Sequence, residues 1–393
     1  MAHALEGITV IDTAINYAGP TTSMYLSDQG ADVIKVEARI TGDTGRRGGS
    51  SPYLGKNSRF FMAINRNKRS ITVDLKKPEG KEIVQGLARR ADVFVENFRP
   101  GVMDRLGLGY KELSALNPRL VYASITSFGS KGPYADKAGF DRLVQGMGGG
   151  MHRKDADGRP IPVGTWIADW ATPMLMAYGI TLALWQRDKT GLGQRVEGSL
   201  LASTLAMQLG EITVAEDDPT PPPALSEDSP AYSCFECADG QYINLGAIFP
   251  HQFARLCRTL DLDHLADDPR LTDPAQRRQL HAEATPIFDA IFRTRTCAEW
   301  LESLHAADVP CGPIVEKQQV AYTEQVLANE MMVPLVHPVA GRTRVIGTPV
   351  RLSANPPREL KPAPQLGEHC EEILRELGYS AEGIEELRQN EVV

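Results

Sequence analysis

Asp169 is the side chain in this sequence whose setting offers the clearest chemistry. It lies in GTWIADWATPMLMAYGITLALWQRD, where apolar spacing predicts a helix from Trp170 to about Arg187. An aspartate just before such a helix is a favoured N-cap, because its carboxylate accepts hydrogen bonds from the unpaired first-turn amides. Those amides and the positive end of the helix dipole also keep a carboxylate ionised, and an ionised carboxylate is a nucleophile. Periodicity alone favours the cap.

Three other groupings invite a chemical reading. Cys234 and Cys237 have C-x-x-C spacing, but AYSCFECADGQYINL reads as two strands around an Asp-Gly turn rather than the helix start of a redox pair. No second Cys/His pair lies nearby at zinc spacing, so no metal site is assigned. The run Gly148, Gly149, Gly150 lacks the Lys-Ser/Thr of a phosphate loop and reads as a turn or a source of backbone amides. Arg46 and Arg47 stand among glycines in GDTGRRGGSSPYLGKNSRFF, which predicts a mobile solvated loop more readily than a binding clamp.

The elements that must position these groups alternate along the first two hundred residues. ITVIDTA, DVIKVE, SITVDL, ADVFVEN and LVYASITSF read as strands, with helices from Pro20 to Gln29 and from Pro78 to Arg90 between them. This predicts an α/β, doubly wound fold, and without G-x-G-x-x-G a nicotinamide or flavin cofactor is not indicated. The acid- and proline-rich stretch at 216–230 predicts an extended linker. It divides a large first part, residues 1–215, from a small α+β unit at 231–325, and the chain at 326–393 returns to the large part. The EEILREL repeat predicts a helix in that returning tail.

At 393 residues the chain is long enough for two cores. Its 50 acidic and 42 basic residues give a net charge of -8, which argues against nucleic acid or an anionic membrane as partner. The N-terminus lacks the pattern of an export signal, and the longest apolar run, Met174 to Trp185, is short for a bilayer, so a cytoplasmic location is expected. None of the six cysteines is needed as a disulfide staple there.

Taken in order, several segments resemble the class III CoA transferases, the CaiB/BaiF family that also contains the α-methylacyl-CoA racemases. They are LEGITVIDTA with its trailing AGP, ADVIKVE, NRNKRSITVDLKKPEGK, ADVFVENFRPGVMDRLGLGY, NPRLVYASITSFG, GPYADKAGFD, ADWATP, TGLGQRVEGSLL, VPCGPI and QLGEHCEEIL. The resemblance implies a Rossmann-like large domain built from both chain ends, a small domain between them, and a homodimer of interlocked subunits. It implies a CoA transferase acting on an acyl-CoA, with succinyl-CoA the first candidate, and on a small carboxylic acid, with CoA as substrate and no permanently bound cofactor.

The same resemblance assigns residues. Asp169 matches the nucleophilic aspartate, and Asp141 in AGFD an acidic residue near the reacting centre, with a turn or helix cap as the plainer role. Asn16, Tyr17, Arg39, Val73, Lys76, Asn97, Phe98 and Arg105 match positions that hold CoA; Ala38 stands where the family often has an arginine, with Arg39 beside it. Lys137 and Arg142 flank Asp141 and are placed to receive the acid. Where some formyl-CoA transferases carry a closing glycine loop, this chain has NLGAIFPHQ. The alternatives are a racemase-like isomerase, whose histidine is replaced here by Phe140, or a non-catalytic acyl-CoA-binding protein.

Overall fold

The computed structural model describes residues 2–47, 58–214, 216–217, 230–272, 274–355 and 358–393. Most of the expected linker and the glycine-rich loop beyond Arg47 lie outside the described residues. The chain separates into two compact units, Met1–Leu209 with Gln325–Val393, and Gly210–Glu324.

Six parallel strands form the centre of the first unit: β1 (Thr9–Asp12), β2 (Asp32–Glu37), β3 (Lys68–Thr72), β4 (Val93–Glu96), β5 (Val121–Thr126) and β6 (Arg195–Ser199). Their spatial order is β3-β2-β1-β4-β5-β6. The direction of winding therefore reverses between β1 and β4, and a crevice opens at the carboxyl ends of strands at such a switch point. Strands buried on both faces must be apolar nearly throughout, and β4, all of whose residues are buried, shows it in Val93, Phe94 and Val95.

Helices α1 (Ala18–Asp28), α2 (Arg59–Ile64), α3 (Pro78–Arg90), α4 (Val102–Leu106), α5 (Tyr110–Leu116), α6 (Asp141–Met147), α7 (Ile167–Thr190) and α8 (Leu200–Ala206) complete this part. One core joins Val10, Val33, Val93 and Ala123 of the strands to Ala18, Met176, Ile180 and Leu184 of α1 and α7. A second core joins Ile34, Ile71, Phe94 and Tyr122 to Ile83 and Leu87 of α3. The returning tail enters this second core through α14 (Cys370–Glu376) and α15 (Ala381–Gln389), which bury Ile373, Leu374, Ile384 and Leu387. Its end is tied down where the Asp74 amide donates to the Val392 carbonyl at 2.8 Å. Ahead of it, α13 (Glu324–Ala328) leads into the antiparallel hairpin of β10 (Met332–His337) and β11 (Gly341–Ile346).

By length and composition α7 is apolar enough to cross a membrane. It instead packs Ala168, Met176, Ile180 and Ala183 into the sheet's core, while Met174, Tyr178, Leu182 and Trp185 remain exposed on its outer face.

The second unit contains the antiparallel sheet of β7 (Cys234–Glu236), β8 (Tyr242–Leu245) and β9 (Cys311–Pro313). Helices α9 (Pro250–Thr259), α10 (Asp263–Ala266), α11 (Pro274–Phe292) and α12 (Cys297–Ala306) accompany it. Phe235, Phe253, Phe288, Phe292 and Trp300 dominate its core, and the Trp300 indole donates to the Phe292 carbonyl at 2.9 Å. Cys234 and Cys237 lie on the expected hairpin, with Gly240 at φ 73° in its turn. NLGAIFPHQ forms the end of β8 and the start of α9, and the Gly246 amide donates to the Pro310 carbonyl.

Candidate active site

The crevice at the switch point is a cleft of about 660 Å³. It is lined after β1 by Ile15, Asn16 and Tyr17, after β4 by Asn97, Phe98 and Arg99, and at the end of β5 by Thr126 and Ser127. Its far wall carries Lys137, Phe140, Asp141, Arg142, Trp166 and Asp169. Six residues expected at the site, Asn16, Tyr17, Asn97, Phe98, Asp141 and Asp169, thus come together, with Lys137 and Arg142 beside them. Arg39, Val73, Lys76 and Arg105 do not line this cleft. Val73 is a core residue, Arg39 pairs with Glu391 at 2.9 Å, and Lys76 and Arg105 are exposed. Their positions follow the ends of β2, β3 and β4 along the same edge of the sheet.

The turn after β1 is held from below by buried charge. Asn16 takes a left-handed φ of 63°, which asparagine tolerates better than most residues, and its amide donates to Asp43 Oδ1 at 2.9 Å. Asp43 in turn pairs with the buried Lys35 ammonium at 2.9 Å, and Lys35 also donates to the Ala14 carbonyl. Burial opposes the charge on Lys35, but Asp12, Asp43 and Glu37 hold its pKa above the ordinary lysine value. From the β4 side, Asn97 accepts from the Ile15 amide at 2.9 Å and donates to its carbonyl at 2.7 Å. The AGP signature has a steric cause: a Cβ on Gly19 would stand 2.2 Å from Ala14 Cβ and 3.2 Å from Asn97 Cγ.

Asp169 is not the N-cap that periodicity indicated. Helix α7 begins at Ile167, so Asp169 is its third residue, and the cap position belongs to Trp166, whose side chain makes no capping bond. The missing acceptor is supplied from α6: Asp141 Oδ2 accepts from the Ala168 amide at 2.8 Å and the Asp169 amide at 3.2 Å. Its other oxygen accepts from the Gln145 side chain. Asp141 is buried and both of its oxygens are engaged, so the plainer role weighed for it, a helix cap, is filled across two helices.

This arrangement sets the state of Asp169. Tyr17 packs against Trp166 and Trp170 with ring centroids 5.0 and 6.1 Å apart, and Phe60 closes on Trp166 at 5.0 Å. Burial, followed by the negative charge of Asp141, pushes the Asp169 carboxyl up to about 7. The helix-start environment therefore does not leave a fully ionised carboxylate at neutral pH, contrary to the dipole argument, because burial and the Asp141 charge outweigh the positive helix end. The Tyr17 phenol is raised by burial and then by the charges of Asp169 and Asp43.

The glycine run takes the turn reading at two of its positions: Gly148 closes α6 and donates its amide to the Val144 carbonyl, and Gly150 donates to Gln145, so neither offers that amide to an oxyanion. Arg46 is buried rather than mobile: it forms a two-point pair with Glu37 at 2.8 and 2.6 Å and lies 3.8 Å from the centre of the Phe61 ring. Arg47 beside it is exposed. Sequence reasoning missed Gln145, Trp166 and Arg99; Gln145 carried one signal, its four-residue spacing from Asp141 within one helix.

The model of CoA-transferase family III matches residues 5–370, and the chain belongs to that family. Its class is therefore that of the CoA transferases, which act on CoA thioesters. It is 37% identical to the succinyl-CoA:glutarate CoA-transferase of Mus musculus over 98% of this chain and 88% of that one. It is 36% identical to the formyl-CoA:oxalate CoA-transferase of Streptomyces avermitilis over the full length of both. Among solved structures, a CaiB/BaiF family protein from Brucella suis superposes with a TM-score of 0.83 at 32% identity, covering 96% of this chain and all of that one.

Proposed function

We propose that this protein transfers CoA between carboxylic acids through covalent intermediates on Asp169, with succinyl-CoA as donor and a small dicarboxylate as acceptor. The observation that carries this reading is a carboxylate set among aromatic rings in the switch-point cleft, with cationic side chains on the same wall. Exchange between a thioester and a carboxylate is close to balanced in energy, so a nucleophilic relay suffices. A carboxylate oxygen of Asp169 attacks the thioester carbonyl, the C–S bond breaks, and a mixed anhydride and CoA thiolate result. The thiolate attacks the Asp169 carbonyl, releasing the donor acid and leaving an aspartyl-CoA thioester. The acceptor carboxylate expels the thiolate from that thioester to form a second anhydride. Attack of the thiolate on the acceptor's acyl carbon gives the new acyl-CoA and restores Asp169. No net proton is consumed.

Asn16, Tyr17, Asn97 and Phe98 face the pantetheine end of CoA in this reading. Arg39, Val73, Lys76 and Arg105 lie where the nucleotide end would follow the strand edge, and Lys76 and Arg105 offer charge to phosphates. Arg99, Lys137 and Arg142 are exposed cations on the cleft. Among the described residues Arg99 and Arg142 form no ion pair, which leaves them to meet the second carboxylate of the acid. The relatives named for succinyl-CoA:glutarate exchange support the same substrate class.

The test is a panel of acyl-CoA donors and free acids, with the CoA esters formed identified by mass. Arg99→Gln/Arg142→Gln is expected to weaken use of dicarboxylates about tenfold or more while monocarboxylates change little. Equal losses for both classes would remove the selecting role. A racemase needs a proton carrier on each face of the α-carbon. Phe140 cannot be one, and among the described residues no histidine lines the cleft. Proton exchange at the α-carbon without CoA transfer would reinstate it, and tight acyl-CoA binding without exchange would favour the non-catalytic reading.

The interlocked homodimer belongs to the same proposal. The exposed row Met174, Tyr178, Leu182 and Trp185 on α7 has the helical spacing of a face that packs against another surface. Light scattering at submicromolar concentration is expected to give a dimer mass; an active monomer would contradict it.

A further inference from the structure

We propose that Asp141 and Gln145 are positioning residues, which together fix the start of α7 and so the aim of the Asp169 carboxylate. This rests on the reading of Asp169 as the nucleophile. Gln145 is fully buried and all its polar capacity is directed at this one junction. Its Oε1 accepts from the Val163 amide at 3.0 Å, and its Nε2 donates both to the Thr165 carbonyl at 3.1 Å and to Asp141 Oδ1. It therefore clamps the strand of chain that enters α7 and orients the carboxylate that caps it. Asp141 Oδ2 then gathers the amides of Ala168 and Asp169. Helix α7 has no side-chain cap of its own at Trp166, so its first turn depends on this external acceptor.

Pro173 adds to the dependence, since it has no amide to return to the Asp169 carbonyl four residues earlier. The first turn carrying the nucleophile is thus weakly bonded within the helix and held from outside. A carboxylate that must reach a thioester carbon tolerates little error in aim, and an error of about 1 Å costs about a hundredfold in rate. Asp141 also contributes a negative charge that raises the Asp169 carboxyl, so removing that charge must move the titration of the nucleophile.

Asp141→Asn and Gln145→Leu separate this role from a merely structural one. Both variants are expected to lose about 10- to 100-fold in kcat with KM for acyl-CoA changed less than about twofold. In Asp141→Asn the acid limb of the kcat profile, near pH 7 in the wild type, is expected to move to lower pH, because the nearby negative charge is gone. Asparagine keeps the side chain's volume and one acceptor oxygen, so Asp141→Asn, checked for a wild-type circular dichroism spectrum, decides the matter if Gln145→Leu is recovered unfolded. An unmoved acid limb together with wild-type kcat in Asp141→Asn would overturn the proposal, as would wild-type kcat in folded Gln145→Leu. Trapping of the acyl-enzyme in the wild type keeps the two readings distinct. An adduct on a residue other than Asp169 overturns the nucleophile assignment, whereas an adduct on Asp169 with unaltered variants overturns only the positioning role.

Discussion

Asp169→Ala is expected to lower CoA exchange by at least about a thousandfold, because in the proposed relay every covalent step passes through that carboxylate. Asp141, the nearest other acid, cannot replace it: its two oxygens are committed to Gln145 and to the α7 amides, and it is buried. Binding of CoA should survive, since Asn16, Tyr17, Asn97 and Phe98 keep their places through contacts that Asp169 does not make. Stability should not fall either. The folded-state pKa of Asp169 is raised to about 7, so above that pH the fold carries an ionised carboxylate it disfavours, and alanine removes that cost. A variant that binds acyl-CoA, melts no lower than wild type and does not exchange is the expected result. Retained exchange in Asp169→Ala would show that another group is the nucleophile.

Arg46→Met is expected to act on stability and not on choice of acid. Its guanidinium satisfies both oxygens of buried Glu37 and donates to the Pro364 carbonyl, joining the first part of the chain to the returning tail. Removing one partner of a buried pair strands the other charge, a loss of about 3–5 kcal/mol. Ser70 and the Asp43 amide, which also donate to Glu37, place the outcome toward the lower end. Thermal unfolding should show a fall of several degrees, with the ratio of dicarboxylate to monocarboxylate use unchanged. An unaltered melting point with altered acid preference would return Arg46 to the substrate.

The contrast between Arg46 and Asp169 shows which features the sequence carried. Strand β2 and helix α3 were legible to the residue, because DVIKVE is a β-branched run and Pro78 marks a first helical turn. The tail helix α14 showed in its own repeat, but its place in the second core depends on Ile373 and Leu374 meeting strands three hundred residues earlier. Local pattern also misjudged the start of α7. Aspartate is a good cap, and nothing nearby signalled that a carboxylate from another helix would take that task. Glycines around Arg46 implied freedom, whereas its conformation is fixed by Glu37 and Phe61, which belong to other elements. Asn16, Tyr17, Asn97, Phe98 and Asp141 were legible only through motifs in family order. Gln145 and the Lys35–Asp43 pair were not, because their roles exist only once three segments converge.

The proposed relay makes a covalent bond to one side chain, and trapping that bond tests it directly. Wild-type protein incubated with succinyl-CoA and then with hydroxylamine or borohydride, digested and analysed by mass, should yield a single modified peptide, with the change on Asp169 between Ala168 and Trp170. Asp169→Ala should yield none. Modification at a different residue, or turnover with no trappable adduct on Asp169, would contradict the account.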